Sequence, residues 1–356
     1  MSKREEYVAG FKIGNHKISN FGRTFLIAEV AQAHDGSLGL AHAFIDAAAD
    51  NGADAIKFQT HFASEESTLD EPFRVKFSRQ DNTRFEYWKR MEFTPEQWAG
   101  LAKHAQERGL VFLSSAFSAK AVALLEKLGM AAWKVASGEL YSDALIHLMA
   151  QTGKPILLSS GMAGWADIDH AAQIVRRAGN PLAVFQCTTE YPTPLTRVGL
   201  NVIGEIRDRY ACPAGLSDHS GKLWPAISAI ANGAALLEFH VIFDRRMFGP
   251  DVKSSLTFEE LRAVSEMRDA QVTMSRNPVN KNAAAEGFAA LRQTFGKSLA
   301  VTRQVAAGSI LTADVLTLKK PGTGIRAEDM HKVVGRRVAI DIQPDRLLRW
   351  ADIQDS

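Results

Sequence analysis

Lys57 and Lys134 each stand inside a short apolar run, IKF at 56–58 and WKV at 133–135. A buried ammonium there is costly unless an anion meets it. Alternation with apolar neighbours lets each lysine point inward with the strand period of two. The other polar residues at run ends are of matching kinds. Glu29 closes FLIAEV (25–30), and Gln59 follows Lys57. Ser114-Ser115 and Ser159-Ser160-Gly161 end two more runs, and Ser137 and Glu139 follow Lys134. Thr188-Thr189 and Tyr191, Ser217-Asp218-His219, and Glu238 with His240 complete the set. The lysines admit two readings: structural ion pairs with Glu29 and Glu139, or a site for a compact phosphate- and carboxylate-bearing anion. Both lysines together, beside serines at three other run ends, favour the anion site, with hydroxyl and backbone N–H groups as short donors. A lone histidine at a strand end is most often a hydrogen-bonded wall residue. His219 and His240 end adjacent runs, however, and two converging imidazoles suit a catalytic divalent metal completed by water or substrate oxygens. His34 and His61, near other run ends, are further wall residues to consider.

The elements that must position these residues alternate. Eight apolar runs, at 25–30, 55–59, 111–115, 131–136, 155–160, 182–187, 214–219 and 236–240, are separated by segments of helical periodicity. Helices are expected over 38–51, 95–108, 118–128, 142–152, 166–178, 199–210, 222–233 and 257–275. Thr94-Pro95 marks one start, and Gly52, Gly109 and Gly129 mark stops. Eight β–α units in about 250 residues predict an α/β fold, a (β/α)8 barrel over 25–276, with chemistry at the C-terminal strand ends. An open doubly wound sheet is the alternative, but no G-x-G-x-x-G follows a strand. Residues 1–24 read as a hairpin or cap around Gly14-Asn15. The long stretch 60–93, with Phe73, Phe77, Phe85, Tyr87 and Trp88, reads as a functional loop or as edge packing. Residues 277–296 read as a linker, and 297–356 as a small domain of short strands.

Composition narrows the classes. There are 42 Lys+Arg against 40 Asp+Glu, a net charge of +2, so a nucleic-acid footprint is not expected. No apolar run reaches the ~18 residues of a membrane helix, and the N-terminus lacks a signal-peptide core. Two cysteines, Cys187 and Cys212, rule out a disulfide scaffold and point to a reduced cytoplasm.

The ordered segments IAEVAQAHDGSLGLAHAFIDAAADNGADAIKFQ (27–59), WKRMEFTPEQW (88–98), WKVASGEL (133–140), KPILLSSGM (154–162), CTTEYPTP (187–194), GLSDHSG (215–221), LEFH (237–240) and GPD (249–251) resemble the sialic acid synthase family. The segment 298–325 resembles its C-terminal antifreeze-like domain, a β-clip type fold. The resemblance implies a metal-dependent condensation of phosphoenolpyruvate with a 2-acylamino hexose such as N-acetylmannosamine, giving a nonulosonic acid and phosphate. It assigns phosphoenolpyruvate to Lys57, Gln59, Ser115, Lys134, Ser137, Ser160, Thr189 and Ser217. It assigns Mn2+ or Mg2+ to His219 and His240, and chemistry to Glu29 with the two lysines. Glu139, Tyr191 and Asp251 would meet the sugar, as would Lys320, where several members carry Arg. It also implies a homodimer whose C-terminal domain covers the partner's site. Three further departures concern the sugar. Ala33-His34-Asp35-Gly36 stands for a common Asn-His-Asn-Gly, Val252 stands for a usual His, and Glu190 precedes Tyr191. Legionaminic, pseudaminic or other nonulosonic acids therefore remain open as products. Another phosphoenolpyruvate–aldose synthase would need more basic residues for a second phosphate. A silent binding barrel would be expected to lack Glu29 or the histidines.

Overall fold

A computed structural model describes residues 10–73 and 76–354. The part of the expected cap on residues 1–9 lies outside them. Gly14, at φ +56°, turns the chain between β1 (Phe11–Ile13) and β2 (His16–Ile18), an antiparallel hairpin. Eight parallel strands follow: β3 (Phe25–Ala31), β4 (Ala55–Thr60), β5 (Val111–Ala116), β6 (Trp133–Val135), β7 (Ile156–Ser159), β8 (Leu182–Cys187), β9 (Ala214–Asp218) and β10 (Leu236–Ile242). They pair in chain order, and β10 pairs with both β9 and β3, which closes the barrel. A two-residue strand, β11 (Leu256–Thr257), adds to the end of β10.

The crossover helices are α1 (Leu38–Asp50), α4 (Pro95–Glu107), α5 (Ala119–Lys127), α6 (Asp143–Ala150), α7 (Trp165–Arg177), α8 (Leu200–Tyr210), α9 (Leu223–Ala231) and α10 (Phe258–Arg276), with two shorter ones, α2 (Ala63–Glu66) and α3 (Arg84–Met91), inside the long β4–α4 connection. Local chemistry sets their starts. Thr94 accepts from the Gln97 N–H while the Gln97 side chain accepts from the Thr94 N–H, with Pro95 in the first turn. The sheet divides the apolar residues into two sets. Leu26, Ala28, Ile56, Phe58, Leu158, Leu237 and Phe239 face the helices. Phe25, Ile27, Ala55, Leu113, Leu157, Phe185 and Leu236 face the barrel axis, where Ile13 and Ile18 of the hairpin join them. The hairpin thus plugs the N-terminal end of the barrel.

The chain divides into two units at Arg276/Asn277. The expected linker is largely helical: α11 (Lys281–Gly287) begins at Asn280, whose side chain caps two N–H groups, and α12 (Ala289–Phe295) follows. Its Ala-rich composition favours helix despite the Asn and Gly that suggested a linker. Beyond it, β12 (Ser298–Val301) pairs antiparallel with β13 (Leu316–Lys319). A single turn, α13 (Met330–Val333), and isolated bridges, among them those of Arg337, Val338 and Ile342, complete the unit. Leu299, Val301, Leu311, Val333, Val338, Ile342 and Leu348 form its buried core.

Candidate active site

The inward rows of the barrel change character one step above the apolar plug. On β3 the row reads Phe25, Ile27, Glu29; on β4, Ala55, Lys57, Gln59; on β5, Leu113, Ser115. β6 gives Lys134, β7 gives Leu157 then Ser159, β9 gives Ser217, and β10 gives Leu236, Glu238, His240. The strand period of two therefore lays a polar floor on an apolar plug. Above it opens a cavity of about 530 Å³.

Four buried charges make up the floor. Lys57 Nζ lies 2.7 Å from Glu29 Oε2 and 3.9 Å from Glu238 Oε2, and it donates to Ser115 Oγ at 3.1 Å. Lys134 Nζ lies 3.3 Å from Glu238 Oε1 and donates to Ser159 Oγ. Ser217 Oγ donates to Glu238 Oε1 at 3.0 Å, and Gln59 Nε2 donates to Glu29 Oε1 at 3.1 Å. Burial works against the Lys57 charge, but Glu238 and Glu29 outweigh it and raise its pKa. Burial also opposes the Glu238 carboxylate, yet Lys134 and Lys57 hold it down near 2. Glu29 is pushed up to about 7: burial dominates, Lys57 pulls it back, and the Glu238 charge pushes it up again. A role for ionised Glu29 makes kcat/KM, which reports the free enzyme, rise with pH through about 7 and then level off. A profile flat from pH 5.5 to 9 would remove that role.

His219 and His240 stand over the floor with ring centroids 5.3 Å apart. The Thr188 carbonyl lies 3.0 Å from His219 Nδ1 and can only accept, so Nδ1 carries a proton. Tyr191 OH lies 3.0 Å from His219 Nε2, and the two rings stack at 4.1 Å. Burial disfavours charge on His219, but Cys187 beside Nδ1 and the Thr188 carbonyl outweigh it and hold the imidazole near 9. His240 is driven well below its ordinary value by burial and by His219. Its Nδ1 is buried without a hydrogen-bond partner, 3.8 Å from Asp251 Oδ2. That orphaned nitrogen is the donor a divalent cation needs. His219 would contribute Nε2 after releasing a proton or the tyrosine hydroxyl. Among the described residues no cluster of three or more His, Cys, Asp or Glu is arranged to hold a metal, so water or substrate would supply the remaining ligands.

A second buried atom without a partner is Thr189 Oγ1. A Cβ on Gly161 would come within 2.2 Å of it and within 2.4 Å of Ser137 Oγ. The missing side chain is what lets these two hydroxyls converge.

Most of the expected residues thus meet in one cavity, which Glu139 and Tyr191 also line. Glu139 is half-buried, and burial, then Glu66, raises its pKa. It is not the partner of Lys134; Glu238 is, because barrel closure swings β10 across the floor. Ser160 is also displaced from its expected place. It lies on the outward parity of β7, and its hydroxyl donates to Gln186 Oε1 at 3.4 Å and accepts from the Cys187 N–H at 3.2 Å. Ser159 holds the inward position. Ser159→Ala is expected to cost ~1.5–3 kcal/mol of binding to a charged group, roughly 10- to 100-fold in kcat/KM. Ser160→Ala should cost less, and the reverse order would restore Ser160 to the site. His34 is structural: it is buried against Phe58 and Phe93, and its Nδ1 accepts from the Gly36 N–H. Asp251 lines an adjoining lobe of about 730 Å³, with Phe73, Phe77, Tyr87 and Phe248 from the connections after β4 and β10. Lys320 belongs to the C-terminal unit, where its ammonium lies 5.4 Å from the Phe295 ring centroid.

The fold and site together define a (β/α)8-barrel protein with a buried, cation-bearing floor at the C-terminal strand ends. The chain belongs to the NeuB family, whose model matches residues 44–277, and a SAF domain matches residues 296–354. It is 31% identical to N,N'-diacetyllegionaminic acid synthase of Campylobacter jejuni, covering 92% of this chain and 99% of that protein. It is also 31% identical to human N-acetylneuraminate-9-phosphate synthase, with 90% of each chain covered. A crystal structure of N-acetylneuraminic acid (sialic acid) synthetase from Leptospira borgpetersenii, in complex with citrate, superposes with a TM-score of 0.70 at 26% identity, covering 81% of this chain and 99% of that one. Among the described residues no helix is long and apolar enough to cross a membrane.

Proposed function

We propose that this chain condenses phosphoenolpyruvate with an N-acylated hexosamine, giving a nonulosonic acid and phosphate. The acceptor is N-acetylmannosamine or a related 2-acylamino sugar, including those that lead to legionaminic or pseudaminic acid. The observation that carries this reading is the floor itself: two inward lysines, on β4 and β6, beneath two buried polar atoms, His240 Nδ1 and Thr189 Oγ1, that make no hydrogen bond. Such a floor fits a compact trianion, with Lys57 and Lys134 supplying charge and Ser115, Ser137, Ser159 and Thr189 supplying hydroxyls. His219 and His240 would hold Mn2+ or Mg2+, which when bound supplies a Lewis acid for the acceptor's aldehyde. Carbon 3 of phosphoenolpyruvate forms the new bond to that aldehyde carbon, and positive charge develops at carbon 2. Glu29, fixed by Lys57 and Gln59, stabilises that charge or takes the proton of the water that adds there. The tetrahedral adduct then releases phosphate by breaking its carbon–oxygen bond. A phosphate-release assay with phosphoenolpyruvate, Mn2+ and a panel of acylamino hexoses tests the reading; no release with any acceptor would overturn it.

The reading includes a homodimer in which the C-terminal unit serves the partner's site. A truncated chain lacking 297–356 is then expected to use the sugar poorly. Mixing it with full-length His240→Ala should recover part of the activity in heterodimers, because one chain keeps an intact barrel and the other keeps the C-terminal unit. Heterodimers with no recovered activity would assign the unit to its own subunit.

A further inference from the structure

His61 follows β4 two residues after Gln59, clamped between the rings of Trp88 (centroids 4.1 Å apart, 17° between planes) and Phe117 (4.4 Å, 12°). Its Nδ1 lies 2.7 Å from Glu66 Oε2, and its Nε2 lies 3.2 Å from Gln59 Oε1. The other Glu66 oxygen accepts from the Phe62 N–H at 2.7 Å. Gln59 is held from both ends: its NH2 donates to Glu29 Oε1, and its carbonyl accepts from Gln32 Nε2 at 3.0 Å. Both atoms that face the imidazole edge are therefore acceptors. A neutral imidazole has one N–H and can satisfy only one of them. The contacts are all met when the His61–Glu66 pair holds a second ring proton, and the imidazole is the more basic partner. Two aromatic faces against the ring favour the same cation. The other ionisable groups near the stack fit this. Arg84 lies 5.0 Å beyond the Trp88 ring and is paired with Glu71, and His34 is kept neutral by burial.

We propose that His61, held as an imidazolium by Glu66, is a positioning residue for the reaction: its Nε2–H fixes the Gln59 carbonyl, which turns the Gln59 NH2 onto Glu29 and sets that carboxylate against Lys57. The kinetic part of this inference rests on the proposed condensation, whereas the proton count does not.

The test combines the two. In chain labelled with 15N-histidine at pH 7.5, a second imidazole signal besides that of His219 should show both ring nitrogens protonated and disappear in His61→Phe. Glu66→Gln should return that ring to a single proton. In turnover, His61→Phe keeps an aromatic ring in the stack and removes one held hydrogen bond. It should lower kcat about 10-fold or more while leaving KM for phosphoenolpyruvate within about twofold. His61→Gln, which restores an N–H donor, should recover part of the loss. A singly protonated His61 in the native chain overturns the proposal. So does His61→Phe with native kcat and only a lower Tm. If His61→Phe does not fold, Glu66→Gln carries both readouts. If the native chain turns over no acceptor, the condensation reading fails while the 15N signals still decide the proton count.

Discussion

Lys134→Met is expected to lower kcat/KM for phosphoenolpyruvate about 1,000-fold or more, while the purified chain stays folded. Among the described residues the ammonium pairs with Glu238 and donates to Ser159, two side-chain partners. Truncating one partner of a buried, hydrogen-bonded charge pair between protein and ligand costs about 2–5 kcal/mol of binding, the equivalent of about one and a half to four powers of ten. The same variant should carry a pH signature in its stability. Glu238 is held down near 2 by burial-opposing lysines, Lys134 first. A depressed carboxyl stabilises the fold above its unfolded pKa, and that contribution is lost as pH falls through the folded value. Without Lys134 the depression weakens. The Tm gap between native and variant chains should therefore be largest above about pH 4.5 and shrink toward pH 2. Native kinetics in the folded fraction of the variant would make Lys134 a structural partner of Glu238 and nothing more.

Removal of divalent cations is the second large effect. A chelator, or His240→Ala, is expected to reduce condensation about 1,000-fold or more, since a Lewis acid contributes several kcal/mol to such a step. His240 is the more telling position because its Nδ1 makes no hydrogen bond that the substitution would remove. Calorimetric titration with Mn2+ supplies a readout apart from turnover: the native chain should bind, and His240→Ala should bind far more weakly. A chelated chain with full turnover would remove the metal from the reaction and leave the lysine result standing.

The floor was legible because strand parity is legible. Lys57 alternates with Ile56 and Phe58, and Lys134 with Trp133 and Val135, so both had to face away from the helices. The same parity, carried along β10 from Leu236 through Glu238 to His240, turns Glu238 inward with the rest of the polar set, although the resemblance assigns it no role. What parity does not contain is which wall meets which across the axis. The ion-pair reading matches Lys134 with Glu139, close to it in sequence, whereas closure sets Glu238 against it. Ser159 and Ser160 differ by a single step of register at a strand end, where one residue decides inward or outward. The helices at 281–287 and 289–295 were hidden by Asn and Gly in a segment that alanine nevertheless winds. The hydrogen-bond chain through His61 depends on the turn that sets α2 after β4, and nothing in the local spacing encodes that turn.

The barrel closes where β3 meets β10, with Glu29 registered against His240. The first barrel strand to leave the ribosome thus waits about two hundred residues for its neighbour. Until Leu236–Ile242 is translated, β3 has an open edge, and Lys57 and Lys134 lack the carboxylate that lies between them. A chain stalled earlier carries both lysines in an unclosed sheet, prone to pair with any passing strand. In a growing chain the anion-binding floor should then assemble in one step with the closing strand, so that synthesis interrupted before β10 yields no floor.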